Sequence, residues 1–153
     1  SNPSLLNTVG TQWGLPSSTY TFTEVLGMDA DLLAMVHNPE AAVFLFPCTD
    51  NQYLYRKSQA ASLRKSSQPA QSYTTLNSSP LLFLTQHPQF GNACGTIALL
   101  HTIANTCILP PTTPIGSFYQ TNCTTSPADA GTRLLSSGSL KTISDAAASS
   151  CVA

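Results

Sequence analysis

A cysteine that follows a glycine-marked loop and opens an apolar segment is the group in this sequence best suited to covalent chemistry. The cysteine is Cys94, which comes shortly after Gly91 and Asn92 and just before an apolar run over residues 97–104. Unpaired backbone N–H groups and the dipole at a helix N-terminus stabilise an anion. Such a position favours the thiolate, and the thiolate is the nucleophile in thiol chemistry. We therefore predict that Cys94 is a nucleophile rather than a small buried helix residue.

A cysteine nucleophile needs a general base, and the sequence contains three histidines. His101 follows Cys94 by seven positions, which places it about 10 Å further along the helix axis. A base must come within about 3 Å of the proton that it accepts, so His101 is predicted to be a core residue or to hold a neighbour. His37 is interpreted as a surface residue in a loop. His87 lies in the loop before Cys94 and is close enough in sequence to act as a substitute base, but an ordinary loop residue is the favoured interpretation.

Length and composition narrow the classes of function. The 153 residues suffice for one domain with a real core. The apolar fraction of 42% is ordinary, but the charged fraction of 8% is far below the usual value of about a quarter. The net charge of −1 gives no electrostatic reason to expect nucleic acid or an anionic membrane as a partner. Four of the six cations are predicted to lie on a solvated helix face: Arg56, Lys57, Arg64 and Lys65.

The cysteines and the apolar runs indicate a reducing, intracellular compartment. Five cysteines without a CxxC pair or a Cys/His ligand spacing argue against a disulfide framework and against a zinc site. No signal peptide is visible, and no apolar run approaches the roughly 20 residues of a membrane-spanning helix. A cytoplasmic protein without metal or cofactor is therefore expected. The cysteines interpreted as inert are Cys48, Cys107, Cys123 and Cys151.

Local patterns predict both helices and strands, and so an α+β fold. Helices are predicted after the cap Asn2-Pro3, after Asp29, over 52–65, over 92–105 and after Ser126-Pro127. Strands are predicted over 20–26, 41–46 and 81–85, and the continuous apolar run of the second predicts that both its faces are covered. Residues 66–80 are predicted to be an exposed loop, and residues 134–153 a tail that frays.

Four segments in order resemble the ubiquitin C-terminal hydrolases, papain-like cysteine peptidases that cleave after the C-terminal glycine of ubiquitin. The segments are Asn2-Pro3 with Leu6-Asn7, residues 22–29 leading into 32–36, residues 42–47, and residues 91–96 running on to Asn105. The resemblance covers residues 1–106 well and continues weakly towards the tail. It implies a papain-like fold in which helices flank a central antiparallel sheet, with residues 1–153 in a single domain.

The resemblance also implies site residues. It makes Cys94 the nucleophile, with its backbone N–H and an upstream glutamine side chain forming the oxyanion hole. Where the family has that glutamine, six residues before the cysteine, this sequence has Pro88. Gln86 is preferred because it ends a predicted strand, which is a rigid mount, and Gln89 is the alternative. The residues expected to contact substrate are Asn2, Pro3, Leu6 and Asn92. Asn92 is also suited to capping the helix.

The resemblance implies that the catalytic domain is incomplete at its C-terminus. The family's general base is a histidine, followed by an aspartate, in strands downstream of the Ala-rich helix. The preferred function is a thiol-dependent deubiquitinating peptidase that acts on ubiquitin or its conjugates and is monomeric when the domain is complete. A ubiquitin-binding fragment without catalysis is the second reading. A secreted, disulfide-linked or glycosylated module is the third. Without downstream strands, we expect the chain to be marginally stable or to associate.

Overall fold

The computed structural model describes residues 2–47, 49–65, 75–76, 79–90 and 93–150, and within these ranges the chain is mainly helical. The helices are α1 (Pro3–Trp13), α2 (Ala30–Leu33), α3 (Asp50–Lys65), α4 (Cys94–Thr106), α5 (Pro114–Asn122), α6 (Pro127–Ser136) and α7 (Gly138–Ser150). The strands β1 (Thr75–Leu76) and β2 (Ser79–Pro80) form a short antiparallel ladder, and Pro88–Phe90 is a 3₁₀ turn. The central antiparallel sheet that the resemblance implied is not found among the described residues.

Three of the helices begin with a polar side chain followed by proline. The side chain accepts a hydrogen bond from an N–H group of the first turn, and proline tolerates the first position because its missing N–H has no helical partner there. The predicted starts of α1 and α6 are confirmed, and α5 is a further helix that begins with the same signal. The bonded pairs are Asn2 Oδ1 with the Leu5 N–H (3.1 Å), Thr113 Oγ1 with the Gly116 N–H (3.1 Å) and Ser126 Oγ with the Asp129 N–H (3.2 Å).

The core lies between α1, α4, α5, α6 and α7. Helix α7 packs against α1, α5 and α6, and α4 packs against α1 and α5. The predicted central helix over 92–105 is confirmed as α4, which begins two residues later than predicted and buries its C-terminal half. The largest fully buried side chains are Trp13, Leu82, Leu100, Ile103, Ile115, Leu134 and Leu140.

The third predicted strand, which begins at residue 81, lies along α4 without a strand neighbour among the described residues. Leu82 and Leu84 are buried in the core and Phe83 between them is exposed, which is the alternation of a strand. Side chains of α4 satisfy its backbone instead. The Asn105 side chain bonds both the N–H (2.8 Å) and the C=O (3.0 Å) of Leu82, and His101 Nε2 accepts from the Leu84 N–H at 2.9 Å. The strand prediction is wrong here because the partner is a helix.

The second predicted strand, residues 41–46, is exposed, so the prediction that both its faces are covered is wrong. The side chains of Phe44 and Leu45 are 81% and 61% exposed. The rings of Phe44 and Phe46 stack with centroids 6.2 Å apart. Backbone groups in a strand need neighbours, and no described part of the chain bonds to this segment. An apolar surface therefore faces water.

The first predicted strand, residues 20–26, is a loop held by a side chain of α1. Asn7 Nδ2 donates to the Phe22 C=O at 2.9 Å, and Asn7 Oδ1 accepts from the Phe22 N–H at 2.7 Å. As in the third segment, a helix side chain takes the place of a neighbouring strand. Asparagine is suited to this because its amide both donates and accepts.

The remaining predictions have mixed outcomes. Helix α2 begins after Asp29 as predicted, and α3 confirms the predicted helix over 52–65. The tail is not frayed over 138–150, where it forms α7. Residues 66–74 and 77–78 of the predicted loop and residues 151–153 of the tail lie outside the described residues.

We expect the substitution Phe44→Lys to weaken self-association of this chain. The exposed apolar segment over 41–46 has backbone groups that no described residue bonds, and two copies that meet there remove both the side chains and these groups from water. Sedimentation velocity at increasing concentration tests this: the wild-type sedimentation coefficient rises and that of the variant rises less. Ile108→Lys is the matched control, since Ile108 is 92% exposed but lies outside the segment. A wild-type chain that stays monomeric and unfolds in one sharp transition contradicts the expectation.

Candidate active site

Cys94 is the first residue of α4, and its side chain is an exposed free thiol. Its sulfur makes no hydrogen bond to a described residue. The N-cap position is held by Ala93, whose side chain cannot accept from the N–H groups of the first turn. In the described part of the chain these amides are therefore open to an anion. The structure thus places the thiol at a helix N-terminus, as predicted, and its role as nucleophile stays a prediction.

Gly95 leaves the start of α4 unobstructed. A Cβ added at this position would meet no described atom within 4 Å. Packing therefore does not require a glycine here, although glycine inside a helix is less favourable than alanine by about 1 kcal/mol. The missing side chain leaves open space beside Cys94.

Gln86 follows a stretch of backbone that is fixed to two helices. The Leu84 N–H donates to His101 of α4, and the Thr85 N–H donates to the Pro127 C=O of α6 at 2.8 Å. Gly131 of α6 lies so close to this crossing that a Cβ there would overlap the Thr85 carbonyl oxygen. The backbone before Gln86 is therefore a rigid mount even though it is not a strand.

Gln89 lies in the 3₁₀ turn Pro88–Phe90, and its side chain is exposed. The His87 Nδ1 accepts from the Gln89 N–H at 3.2 Å, which closes a local turn. No hydrogen bond joins Gln86 or Gln89 to Cys94, so the choice of the oxyanion-hole glutamine stays a prediction.

His101 holds the backbone that leads to Gln86, in agreement with its interpretation as a core or supporting histidine. Because a backbone N–H only donates, the Nε2 atom that accepts from Leu84 carries no proton, and the ring is neutral with its hydrogen on Nδ1. Burial desolvates the charged form and lowers the pKa of His101. The edge of the ring also meets Phe83, with centroids 5.9 Å apart. His101 is thus engaged elsewhere and does not serve Cys94.

The other two histidines also bond within their own loops. His37 Nδ1 lies 3.0 Å from the Met35 C=O in an exposed turn, which fits its interpretation as a surface residue. His87 turns towards the amide of Gln89, as described above. No described histidine is hydrogen bonded to Cys94, so the general base is not identified among these contacts.

A cavity of about 240 Å³ lies beside the start of α4. Its lining comes from α1 (Leu5, Leu6, Val9), α4 (Gly95, Thr96, Leu99) and α7 (Ser144, Ala147, Ala148). Among the residues predicted to contact substrate, Leu6 therefore shares a surface with the residues that follow Cys94. This juxtaposition of α1 and α7 with the candidate nucleophile is not apparent from the sequence, because Leu6 and Ser144 are far apart along the chain.

The other residues predicted to contact substrate lie elsewhere. The side chain of Asn2 caps α1, and Pro3 occupies the first position of that helix. Neither lines the cavity. Asn92 lies outside the described residues, and the capping position that was its alternative role belongs to Ala93.

The remaining described cysteines, Cys107 and Cys123, are free and half-buried. Burial raises the pKa of the Cys107 thiol, which disfavours the reactive thiolate and fits an inert residue. These free thiols do not favour the disulfide-linked module that was the third predicted function. Cys48 and Cys151 lie outside the described residues.

In the described ranges, no group of three or more His, Cys, Asp or Glu side chains is placed to hold a metal ion. None of the described helices combines the length and apolarity needed to cross a membrane.

Comparison with known proteins identifies the class. The family model for ubiquitin carboxyl-terminal hydrolase, family 1, matches residues 1–152. The chain therefore belongs to this family of papain-like cysteine hydrolases, and the resemblance seen in the sequence is confirmed.

Individual relatives agree with the family match. The chain is similar to ubiquitin carboxyl-terminal hydrolase isozyme L1 of Monodelphis domestica, with 35% identity over 105 residues that cover 68% of this chain and 42% of the relative. Isozyme L1 of Homo sapiens is 33% identical over the same length and coverage. A ubiquitin carboxyl-terminal hydrolase of Aplysia californica is 36% identical over 106 residues, or 69% of this chain and 42% of the relative. The chain matches about two fifths of the length of these curated relatives.

We expect the free energy of unfolding to fall as the pH falls below about 6.5, the ordinary pKa of an unfolded histidine. The pKa of His101 is lowered in the folded chain, so between the two pKa values the unfolded chain binds more protons. The contribution of neutral His101 to the free energy of unfolding is complete above the pKa of the unfolded chain. It is lost as the pH falls from there through the lower pKa of the folded chain. Denaturant titrations across this range will show the loss.

The substitution His101→Gln is expected to flatten this dependence, because an amide oxygen accepts from the Leu84 N–H but does not titrate. His37→Gln is the matched control, since His37 lies in an exposed turn. A pH dependence that is identical in the wild type and in H101Q excludes His101 as its source.

Proposed function

We propose that this chain carries the nucleophile of a thiol-dependent deubiquitinating peptidase that hydrolyses bonds at the C-terminal glycine of ubiquitin. The observation that carries the proposal is the exposed free thiol of Cys94 at the start of α4, with first-turn amides that no described side chain caps. Membership of the family supports ubiquitin or its conjugates as the substrate.

The proposed reaction is acyl transfer through a thioester. The Cys94 thiolate attacks the carbonyl carbon of the terminal glycine, the C–N bond to the leaving amine breaks, and the amine takes up a proton. Water then attacks the thioester, which releases the ubiquitin carboxylate and restores the thiol. The negative charge that develops on the carbonyl oxygen is held by the Cys94 N–H and the Gln86 side-chain amide. Each such donor contributes roughly 3–4 kcal/mol to transition-state stabilisation.

The general base in this proposal is a histidine oriented by an aspartate, as the family resemblance implies. Both belong to strands outside the 153 residues, since His37, His87 and His101 are each engaged away from Cys94 in the described structure. The same strands pair with the extended segment over 41–46 in a central antiparallel sheet. The exposed apolar side chains of that segment support this part of the proposal.

The setting that we propose is a cytoplasmic enzyme whose complete domain is monomeric and needs no cofactor. The free thiols of Cys94, Cys107 and Cys123 fit a reducing compartment. The net charge of −1 gives no reason to expect nucleic acid or an anionic membrane as a partner. The partner in this proposal is ubiquitin itself.

A ubiquitin probe that carries an electrophile at its C-terminus tests the nucleophile. In a longer protein that includes the proposed downstream strands, we expect one covalent adduct by intact mass with the wild type, an equal yield with the control Cys107→Ser, and none with Cys94→Ser. The control removes a thiol that burial makes less reactive. An adduct that persists in C94S, or a wild-type chain that gives no adduct, argues against the proposal.

Single substitutions distinguish which of Gln86 and Gln89 supplies the oxyanion hole. In a longer protein that includes the proposed downstream strands, with a ubiquitin C-terminal fluorogenic amide as substrate, we expect Gln86→Ala to lower kcat by about 10²–10³-fold, the usual effect of losing one oxyanion donor. Gln89→Ala is the matched control and should leave kcat near the wild-type value. The reverse result assigns the oxyanion hole to Gln89.

A second function, ubiquitin binding without turnover, is favoured by the observation that no described histidine is hydrogen bonded to Cys94. Calorimetric titration with ubiquitin and the fluorogenic assay separate the two functions. Binding without release of the fluorophore supports the second. Release that is abolished in C94S supports the first.

A further inference from the structure

The first turn of α4 has little side-chain packing around it. Cys94 and Gly95 are exposed and Thr96 is half-buried, and fully buried residues of this helix begin only at Leu99. The cavity of about 240 Å³ described above lies on the side that faces α1 and α7. Close packing fixes an element in place, and the described residues do not fill the space on this side of the turn. A specific contact that holds the turn presenting Cys94 is therefore worth identifying.

A hydroxyl pair crosses from this turn to α7. Thr96 Oγ1 and Ser144 Oγ are 2.6 Å apart, although the two residues are 48 positions apart in the chain. Ser144 is only 9% exposed. A buried hydroxyl that loses its partner is left without the hydrogen bond that offsets its desolvation. The pair is therefore a specific link between two helices, and it lies two residues after the candidate nucleophile.

Helix α7 is a firm base for this link. It packs against α1, α5 and α6, and Leu140, one turn before Ser144, is 1% exposed. Within the helix, Lys141 pairs with Asp145 four residues later. Movement of the first turn of α4 relative to α7 is therefore resisted at the hydroxyl pair.

We propose that Ser144 is a positioning residue, which through Thr96 fixes the first turn of α4 and with it the Cys94 sulfur and the open N–H groups beside it. The link itself does not depend on the proposed function, but its effect on catalysis does. Ser144 does not touch the substrate in this proposal; it acts only through Thr96.

The test combines two variants that break the link, one that keeps it and one control. Ser144→Ala and Thr96→Val each remove one hydroxyl, and the double variant removes both. Thr96→Ser keeps the hydroxyl. Thr142→Ala is the matched control, since Thr142 lies on the same helix and is exposed.

The first measurement is hydrogen exchange of the Ile97 amide, which closes the first turn by donating to the Ala93 C=O at 2.9 Å. We expect exchange about 2- to 10-fold faster in S144A and in T96V, the range that corresponds to one net hydrogen bond. The double variant should be no faster than either single variant, because the two changes remove the same interaction. T96S and T142A should match the wild type. The Ile103 amide, in the buried half of α4, should be unchanged in all of them.

The second measurement is the rate at which the ubiquitin electrophile labels Cys94. Its dependence on probe concentration gives two quantities separately, the affinity for the probe and the rate constant of covalent bond formation. We expect S144A and T96V to slow bond formation by a similar factor with probe binding unchanged, and T96S to restore the rate. This division separates positioning from general loss of structure, which also weakens binding.

Several results overturn the proposal: additive effects in the double variant, T96S behaving like T96V, or equal changes at Ile97 and Ile103. Unchanged exchange at Ile97 in S144A also overturns it. If Ile97 responds as expected but no variant or wild type is labelled by the probe, the link between the helices stands and the proposed function fails. The two failures are therefore distinguishable.

Discussion

The arrangement of the candidate site depends on helix α4, because one half of this helix is buried in the core and the other half presents Cys94 to solvent. Its C-terminal half is buried through Leu100 and Ile103, which fixes the helix in the core. From there His101 and Asn105 reach out and bond the backbone of the segment that leads to Gln86. The first turn emerges from the core with Cys94 exposed. A single buried helix thus sets the positions of both the candidate nucleophile and the candidate oxyanion donor.

Five of the seven described helices could be predicted from the sequence and the strands could not be, and the reason is physical. A helix satisfies its backbone internally and its start is signalled by adjacent residues, as at Asn2-Pro3 and Ser126-Pro127. The same signal at Thr113-Pro114 marks α5. A strand needs a neighbour that its own residues do not specify. The segments over 20–26, 41–46 and 81–85 have the side-chain pattern of strands, but none of them has a described strand as its neighbour. The first is bonded by Asn7 and the third by side chains of α4, while the second has no described partner.

In the candidate site, too, some features could be predicted from the sequence and others could not. The position of Cys94 at a helix start and the engagement of His101 away from it follow from local pattern and helical rise. The role of Asn105 in holding Leu82, and the approach of Gly131 to Thr85, join residues that are distant in sequence. No periodicity or motif reveals such contacts. The preference for Gln86 over Gln89 rests on a rigid mount at a strand end, and the backbone before Gln86 is rigid because helix residues, rather than a neighbouring strand, hold it.

Ala93 at the N-cap of α4 has a consequence for how this chain can be stabilised. Serine or aspartate at an N-cap typically makes a protein about 1 kcal/mol more stable than alanine, because the side chain accepts from the first-turn amides. At this position a cap oxygen would bind the N–H groups of the first turn beyond Cys94, and an aspartate would also place negative charge beside the Cys94 sulfur. In the proposed reaction that charge would disfavour the thiolate, so the substitution that most stabilises the helix would lower the activity.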